Sequence, residues 1–428
     1  MKLKVLELYS GIGGMHFALK ESHLEYEIVL AIDINTTANK VYKHNFADTN
    51  LQSFGIEKLS LKMLEDLQIN TILMSPPCQP FTRVGKKRDC HDVRTKSFLH
   101  ILDLIKLIKV KPVYILVENV KGFETSETRG QLIECLKYCN YTYQEFLLTP
   151  LQFGIPNSRL RYYLTAKWNQ CLMTTATGNY SILTELQDFS SFLKDSVTAH
   201  EQEAVKNTNF LVNDNSESLK PSCARAQSSD LQGVKTQDSQ QSSDSLQNEA
   251  KSSLKDFGRN MRYCEEDDKF INDKSLSLSE YMETSDNIDL QDYWLSDKEL
   301  RMFVIMDVVY PELKKSICFT KRYGHYIEGA GSVVQMSSDI QHVIAASDLK
   351  HQAVNSLNRN EWGESEMEIL RNLHLRYFTP REVANLLCFP KDFSFPDGLT
   401  KVQKYRVLGN SLNVFVVTQL IQFMTKIL

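Results

Sequence analysis

The 428-residue chain has no excess of either charge: 49 Lys and Arg stand against 53 Asp and Glu, a formal net of −4. That excludes a polycation coating a polyanion, so any nucleic-acid contact must use local basic patches. No apolar run reaches the roughly 18 uninterrupted residues that span a bilayer. The opening residues "MKLKVLELYSG" lack the apolar core and small-residue cleavage site of a secretory leader. A soluble chain without a membrane partner is therefore expected. Nine cysteines show neither a disulfide framework nor zinc spacing, which points to a reducing compartment, the cytoplasm with the nucleus open. Cys135 and Cys139 are four apart, but no second pair or nearby histidine completes a metal site, so they read as helix packing. No metal is expected, no internal repeat is visible, and a monomer is expected.

What the chain does have is alternation. Strand-like runs at 4–9, 27–33, 70–75, 113–119, 143–149 and 161–166 are separated by helical patterns. Phe98, Ile101, Leu102, Ile105 and Ile108 mark one helix face. Such alternation predicts an α/β fold, a Rossmann-like sheet of parallel strands with helices on both faces. Composition shifts near residue 170, and 213–256 is rich in Ser, Gln, Asp, Asn and Lys. Too little apolar area is available there to offset ordering entropy, so a disordered insert is expected. Order is predicted to resume near 293. The run 405–424, "YRVLGNSLNVFVVTQLIQFM", reads as an apolar helix capped by Asn410 or Ser411. The expected division is a catalytic domain over 1–168, a smaller second domain over 169–390, and a returning segment over 391–428.

Chemistry-bearing residues collect at the carboxyl ends of the strands. The first strand ends in "YSGIGGMHFAL", where Gly11, Gly13 and Gly14 allow a tight turn and close approach of a ligand. Asp33 ends the second strand, placed to accept from ribose hydroxyls. A glycine three residues after the second is missing, so the dinucleotide fingerprint is incomplete and NAD is disfavoured. Cys78 stands between two prolines in "LMSPPCQPFTR", just past one strand, and Glu118 ends another. Ligands gather at such an edge, where strand order reverses. A thiolate that adds to an electron-poor ring, with an acid assisting at a ring nitrogen, fits a base drawn out of its stack. His91 and His100 stay open as partners of the thiol. The loop after Cys78 carries Arg83, Lys86, Lys87, Arg88, Arg94 and Lys96 against Asp89 and Asp92, which suits phosphate contacts or a solvated face.

These residues resemble the cytosine-C5 methyltransferases. "LYSGIGG", "SPPCQPFTR", "VENVKGFE", "GIPNSRLRYYL" and "LGNSLNV" occur in that family's order and spacing. "CFTKRYGHYIEGAGSV" (318–333) and "LLCFP" (386–390) resemble its small branch, which looks like DNA methyltransferases and modifies tRNA. The resemblance implies an S-adenosylmethionine-dependent enzyme with a target-recognition domain, acting on tRNA through a covalent bond from Cys78 to C6 of cytosine. Glu118 would hold the ring, and Arg159 and Arg161 would orient base and acid. The cofactor would lie over Gly11, Ile12, Gly13 and Gly14, with Asp33 and Ile34 at the ribose and Ile56 and Glu57 at the adenine. Ser75, Asn410 and Ser411 would complete the pocket. Lys321, Arg322 and Tyr323 would meet nucleic acid. The implied target is a cytosine in the anticodon loop of the aspartate tRNA. DNA as substrate, and a non-catalytic nucleic-acid-binding protein that keeps the fold, remain the alternatives.

Overall fold

The computed structural model describes residues 1–77, 95–169, 181–184, 268–272, 274–283, 289–337, 339–354 and 362–426. Cys78, Arg83, Lys86, Lys87, Arg88, His91 and the 213–256 insert lie outside the described residues. The described chain belongs to one compact unit made of 1–184 and 252–428.

The first half builds β1 (Leu3–Leu8), α1 (Gly14–Glu21), β2 (Tyr26–Ile32), α2 (Thr36–Asn45), β3 (Leu51–Gln52), α3 (Leu61–Asp66), β4 (Thr71–Met74), α4 (Lys96–Leu107), β5 (Tyr114–Val120), α5 (Glu127–Tyr138), β6 (Tyr141–Leu148) and β7 (Arg161–Trp168). Local chemistry sets several of these bounds. Asn35 caps α2 by accepting from Thr37 N and Ala38 N, and Ser126 caps α5 through Arg129 N. The seven strands form one sheet in the order β3-β2-β1-β4-β5-β7-β6. β1 to β5 pair in parallel, whereas β7 runs antiparallel to both β5 and β6. The all-parallel expectation is thus corrected to a mixed sheet. A strand buried on both faces shows hydrophobicity but no direction, and direction is decided by the connection.

Phe98, Ile101, Leu102 and Ile105 of α4 meet Leu132, Cys135 and Leu136 of α5 in the core on one face. Cys135 and Cys139 are buried there, their thiols against the Leu102 and Ile105 carbonyls.

The second half gives α6 (Asp297–Leu300), β8 (Val308–Val309), β9 (Val333–Gln335), α7 (Ile340–Val354), α8 (Glu364–Asn372), β10 (Leu375–Tyr377), α9 (Pro380–Leu386), α10 (Lys401–Gly409) and α11 (Val414–Lys426). A three-stranded sheet runs β10-β9-β8. Phe319, Tyr323, Tyr377, Phe378 and Tyr405 pack edge to face around it. The C-terminal apolar run is two helices, broken at 410–413. Asn413 caps the second by accepting from Val416 N at 3.1 Å, which corrects the expected cap at Asn410 or Ser411. By length and composition Lys401–Lys426 could cross a membrane, but most of it is buried in the protein. α11 lies on α1, where Thr418 donates to the Ala18 carbonyl at 3.2 Å and Gln422 to that of Ser22 at 3.3 Å. The chain's two ends therefore share one core.

Candidate active site

Strand order reverses between β1 and β4, and the loops after these two strands flank the crevice where such sheets bind ligands. The β1 loop is tightly coiled: Tyr9, Gly11 and Gly13 have φ of 58°, 54° and 87°. For Tyr9 that left-handed geometry is strained. Asp33 holds the loop from the next strand. Its Oδ2 accepts Gly11 N at 2.8 Å and its Oδ1 accepts Asn35 N at 2.7 Å. Burial raises the Asp33 carboxyl from its usual value against the lowering effect of these backbone donors. Each oxygen keeps a lone pair for a hydroxyl donor.

From there, contacts follow one another around the crevice. Ser75 Oγ donates to the Tyr9 carbonyl at 3.1 Å. Asn119, beside Glu118 on β5, donates to the Pro76 carbonyl at 3.3 Å, two residues before Cys78 in the chain. Glu118 is buried, with Oε1 3.6 Å from Arg161 Nε. Arg159, two residues earlier and also buried, donates to the Ser411 and Gly409 carbonyls. Ser411 Oγ in turn would stand 3.2 Å from a Cβ at Gly14, so the 411 turn lies close against the start of α1. Glycine is required at 409 as well, because a Cβ there would lie 2.2 Å from Thr320 C. Two backbones cross at that point, and only a residue without a side chain permits it.

Burial works against the charged form of the acid. Burial raises the Glu118 carboxyl, and the Arg161 and Arg159 charges only partly offset this. Arg159 gives its remaining amino group to Cys318 Sγ at 3.3 Å and the Phe319 carbonyl at 3.2 Å. Its buried Nε has no partner among the described residues. A buried donor left unpaired is costly, so this one is available to a ligand.

Other expected residues fall as follows. Ile34 is 74% exposed, an apolar side chain just past Asp33 that is open to solvent. Ile12 and Ile56 are buried, so they offer a ligand mainly their main chain. Glu57 and Asn410 are exposed. Asn410 ends α10. His100 is committed to the Leu59 carbonyl at 2.7 Å. Lys321 and Arg322 are exposed. Tyr323 is not: at 2% exposure its hydroxyl donates to the Ser332 carbonyl at 2.6 Å and accepts Phe378 N at 2.8 Å. Its expected contact with nucleic acid is therefore corrected to a packing role. The open aromatic of that loop is Tyr326, 43% exposed, with the Arg322 guanidinium 5.7 Å from its ring centre.

Sequence reasoning overlooked Cys318. Its thiol contacts both site arginines, at 3.3 Å from Arg159 and 3.6 Å from Arg161. Burial would raise that thiol, yet the two guanidiniums hold it below its usual value. The string "CFT" was a signal, but nothing in it says that its cysteine faces strand β7.

Comparison with known proteins agrees with this geometry. The C-5 cytosine-specific DNA methylase profile matches residues 3–426. A tRNA (cytosine(38)-C(5))-methyltransferase of Mus musculus is 43% identical over 98% of this chain and 92% of its own length. The protein of that name from Homo sapiens is 41% identical over 99% of both chains. The crystal structure of a Spodoptera frugiperda DNMT2 mutant superposes with a TM-score of 0.69 at 36% identity, covering 99% of this chain and 100% of that one. With a profile match over almost its whole length and full-length relatives above two-fifths identity, the chain belongs to the C-5 cytosine-specific DNA methylase family, in its DNMT2 branch.

Proposed function

We propose that the protein methylates C5 of cytosine 38 in the anticodon loop of a tRNA, the aspartate tRNA by preference, with S-adenosylmethionine as donor. The observation that carries this reading is the series of contacts around the crevice. It joins a buried acid and two arginines to a glycine loop at the switch point of the sheet. The names of the full-length relatives supply the position in the tRNA.

The residues fit the cofactor. The coiled 9–13 loop, the Asp33 carboxylate and the open Ile34 side chain form a cradle with one acceptor and one apolar wall. Gly13, as N-cap of α1, brings no side-chain cap, so the Gly14 and Met15 N–H groups remain available to a carboxylate, that of His16 being turned to Glu7. Gly11, Ile12, Gly13, Gly14, Asp33, Ile34, Ile56, Glu57, Ser75, Asn410 and Ser411 would hold it. When bound, it supplies a methyl group as an electrophile on sulfur.

The chain's own residues do the rest. Cys78 as thiolate adds to C6 of the extruded cytosine. Glu118 enters as the neutral acid and hydrogen-bonds or protonates N3, so the electron pair gathers at C5 rather than on the ring nitrogen. Arg161, 3.6 Å from the Glu118 carboxyl, and the free Nε–H of Arg159 orient acid and base. After C5 is methylated its proton leaves to a base, and elimination expels the Cys78 thiolate. Segment 169–390 we read as the target-recognition domain, with Lys321 and Arg322 and the loop residues Arg83, Lys86, Lys87 and Arg88 toward phosphates.

The test compares methyl incorporation into aspartate tRNA, the same tRNA with uridine at position 38, and duplex DNA. Incorporation confined to the first supports the reading. Equal labelling of DNA would favour the second reading, DNA methylation, which the description of the family profile keeps in view.

A further inference from the structure

Behind the glycine loop lies a buried acid that this mechanism does not use. Glu7, next to the last residue of β1, has no exposed surface. Its Oε2 is 2.7 Å from the Tyr42 hydroxyl, and that hydroxyl is 2.9 Å from His16 Nδ1. The His16 ring stacks on Phe46, centroids 3.6 Å apart and 11° from parallel. A Cβ at Gly13 would stand 2.9 Å from Phe46 Cε2 and 3.2 Å from Tyr42 Cδ2. Three polar groups in series thus end on the two rings that floor the loop.

Protonation decides how this series can be wired. Burial pushes Glu7 up to about 8, although Tyr42 and the His16 backbone N–H lower it; nearby Asp33 raises it slightly. Burial, aided by Lys20, depresses His16 to about 4. Burial lifts Tyr42 well above its usual range, with Glu7 contributing. Tyr26 on β2, raised by burial, Glu7 and Glu21, completes the titratable surroundings. Strand β4 on the other side, Thr71–Met74, contributes no titratable side chain. At neutral pH the series therefore consists of a carboxylic acid, a phenol and a neutral imidazole.

Such a series has one hydrogen per link, so its direction is set at one end. Glu7 Oε1 has no hydrogen-bond partner among the described residues. An acid proton on Oε1 would be a buried donor without an acceptor, which is rarer than an under-satisfied carbonyl oxygen. The proton accordingly belongs on Oε2 and is donated to Tyr42. Tyr42 then donates to His16 Nδ1, and His16 carries its hydrogen on Nε2. An ionised Glu7 can only accept, so Tyr42 must turn to it and accept from His16 Nδ1–H instead. The proton that leaves Glu7 goes to the buffer, and His16 changes tautomer.

We infer that Glu7 is a positioning residue of the cofactor loop: as a neutral acid it orients Tyr42 and His16 against Phe46 and Gly13, and its ionisation reverses that chain. The inference rests on reading the glycine loop as the S-adenosylmethionine site. Loss of the proton also places a bare charge beside Asp33, under the loop.

The test uses the full chain labelled with [15N]histidine, with the His16 signals identified by their loss in His16→Gln. Spectra and S-adenosylmethionine affinity are measured well below and well above pH 8. In the wild type, His16 should pass from the Nε2–H to the Nδ1–H form, and the dissociation constant should rise several-fold. Glu7→Gln should abolish both changes, and Tyr42→Phe should uncouple His16 from pH. A wild-type tautomer that stays constant, or one that shifts equally in Glu7→Gln, overturns the inference. If Glu7→Gln does not fold, the wild type and Tyr42→Phe still decide it. Absence of S-adenosylmethionine binding at every pH would sink the reading of the loop, while the tautomer titration would still decide the role of Glu7.

Discussion

Two arginine–glutamate pairs, one associated with each sheet, the first fully buried and the second partly so, are built to opposite ends. Beside the three-stranded sheet, Arg376 of β10 grips Glu382 of α9 with two bonds of 2.8 and 2.9 Å, and neither residue exceeds 1% exposure. Glu382 also accepts Thr379 N and Glu283 N, so both of its oxygens are engaged. At the seven-stranded sheet, Arg161 Nε and Glu118 Oε1 stand 3.6 Å apart, too far for a hydrogen bond, and nearby Arg159 keeps an unpartnered Nε among the described residues. The first pair is a staple because both oxygens of its acid are already taken, although Arg376 Nε, like that of Arg159, has no partner among the described residues. The slack pair, whose acid is held by no close bond from Arg161 and is raised by burial, is prepared to bind something else.

Exchanging the acid in each pair should separate these roles. Glu118→Gln should lower kcat by about 10²–10⁴-fold, the range for losing a general acid, with an unchanged melting temperature. Because the Glu118 carboxyl is raised in the folded protein, wild-type activity should fall as pH rises through that value and the acid ionises. A pH–rate profile checks both points. Glu382→Ala should instead destabilise the fold by about 3–5 kcal/mol by stranding the Arg376 charge, measured by denaturant titration, with kcat per folded molecule retained. If Glu118→Gln lost stability and Glu382→Ala lost only rate, the contrast would be inverted.

Smaller effects sharpen the comparison. Asp33→Ala should weaken S-adenosylmethionine binding by about 1–3 kcal/mol, the range for a charged hydrogen bond, read by calorimetry. Lys321→Ala should weaken tRNA binding modestly and reduce the slope of log affinity against log salt by about 1. An unchanged slope would remove Lys321 from the phosphate contacts.

Much of this was legible in the chain itself, for identifiable reasons. Strand positions followed from apolar runs, and the glycine loop, Asp33 and Glu118 from their places at strand ends. Tyr323 was misjudged because an aromatic between two cations looks the same whether the loop turns it inward or out. Phe319, Phe378 and Tyr405 turn it inward. Cys318 was overlooked because its partners, Arg159 and Arg161, are distant in the chain.

The sequence alone determined which residue types end each strand and hence which chemistry could occur at that edge, because strand periodicity and turn residues are local properties. Only the tertiary structure decided that β7 runs against its neighbours, that Gly409 crosses Thr320, and that Arg159 ties the break between the last two helices to Cys318 and Phe319. Those outcomes depend on which distant backbones pack closely enough to touch, and that is set by the whole core together rather than by any short stretch.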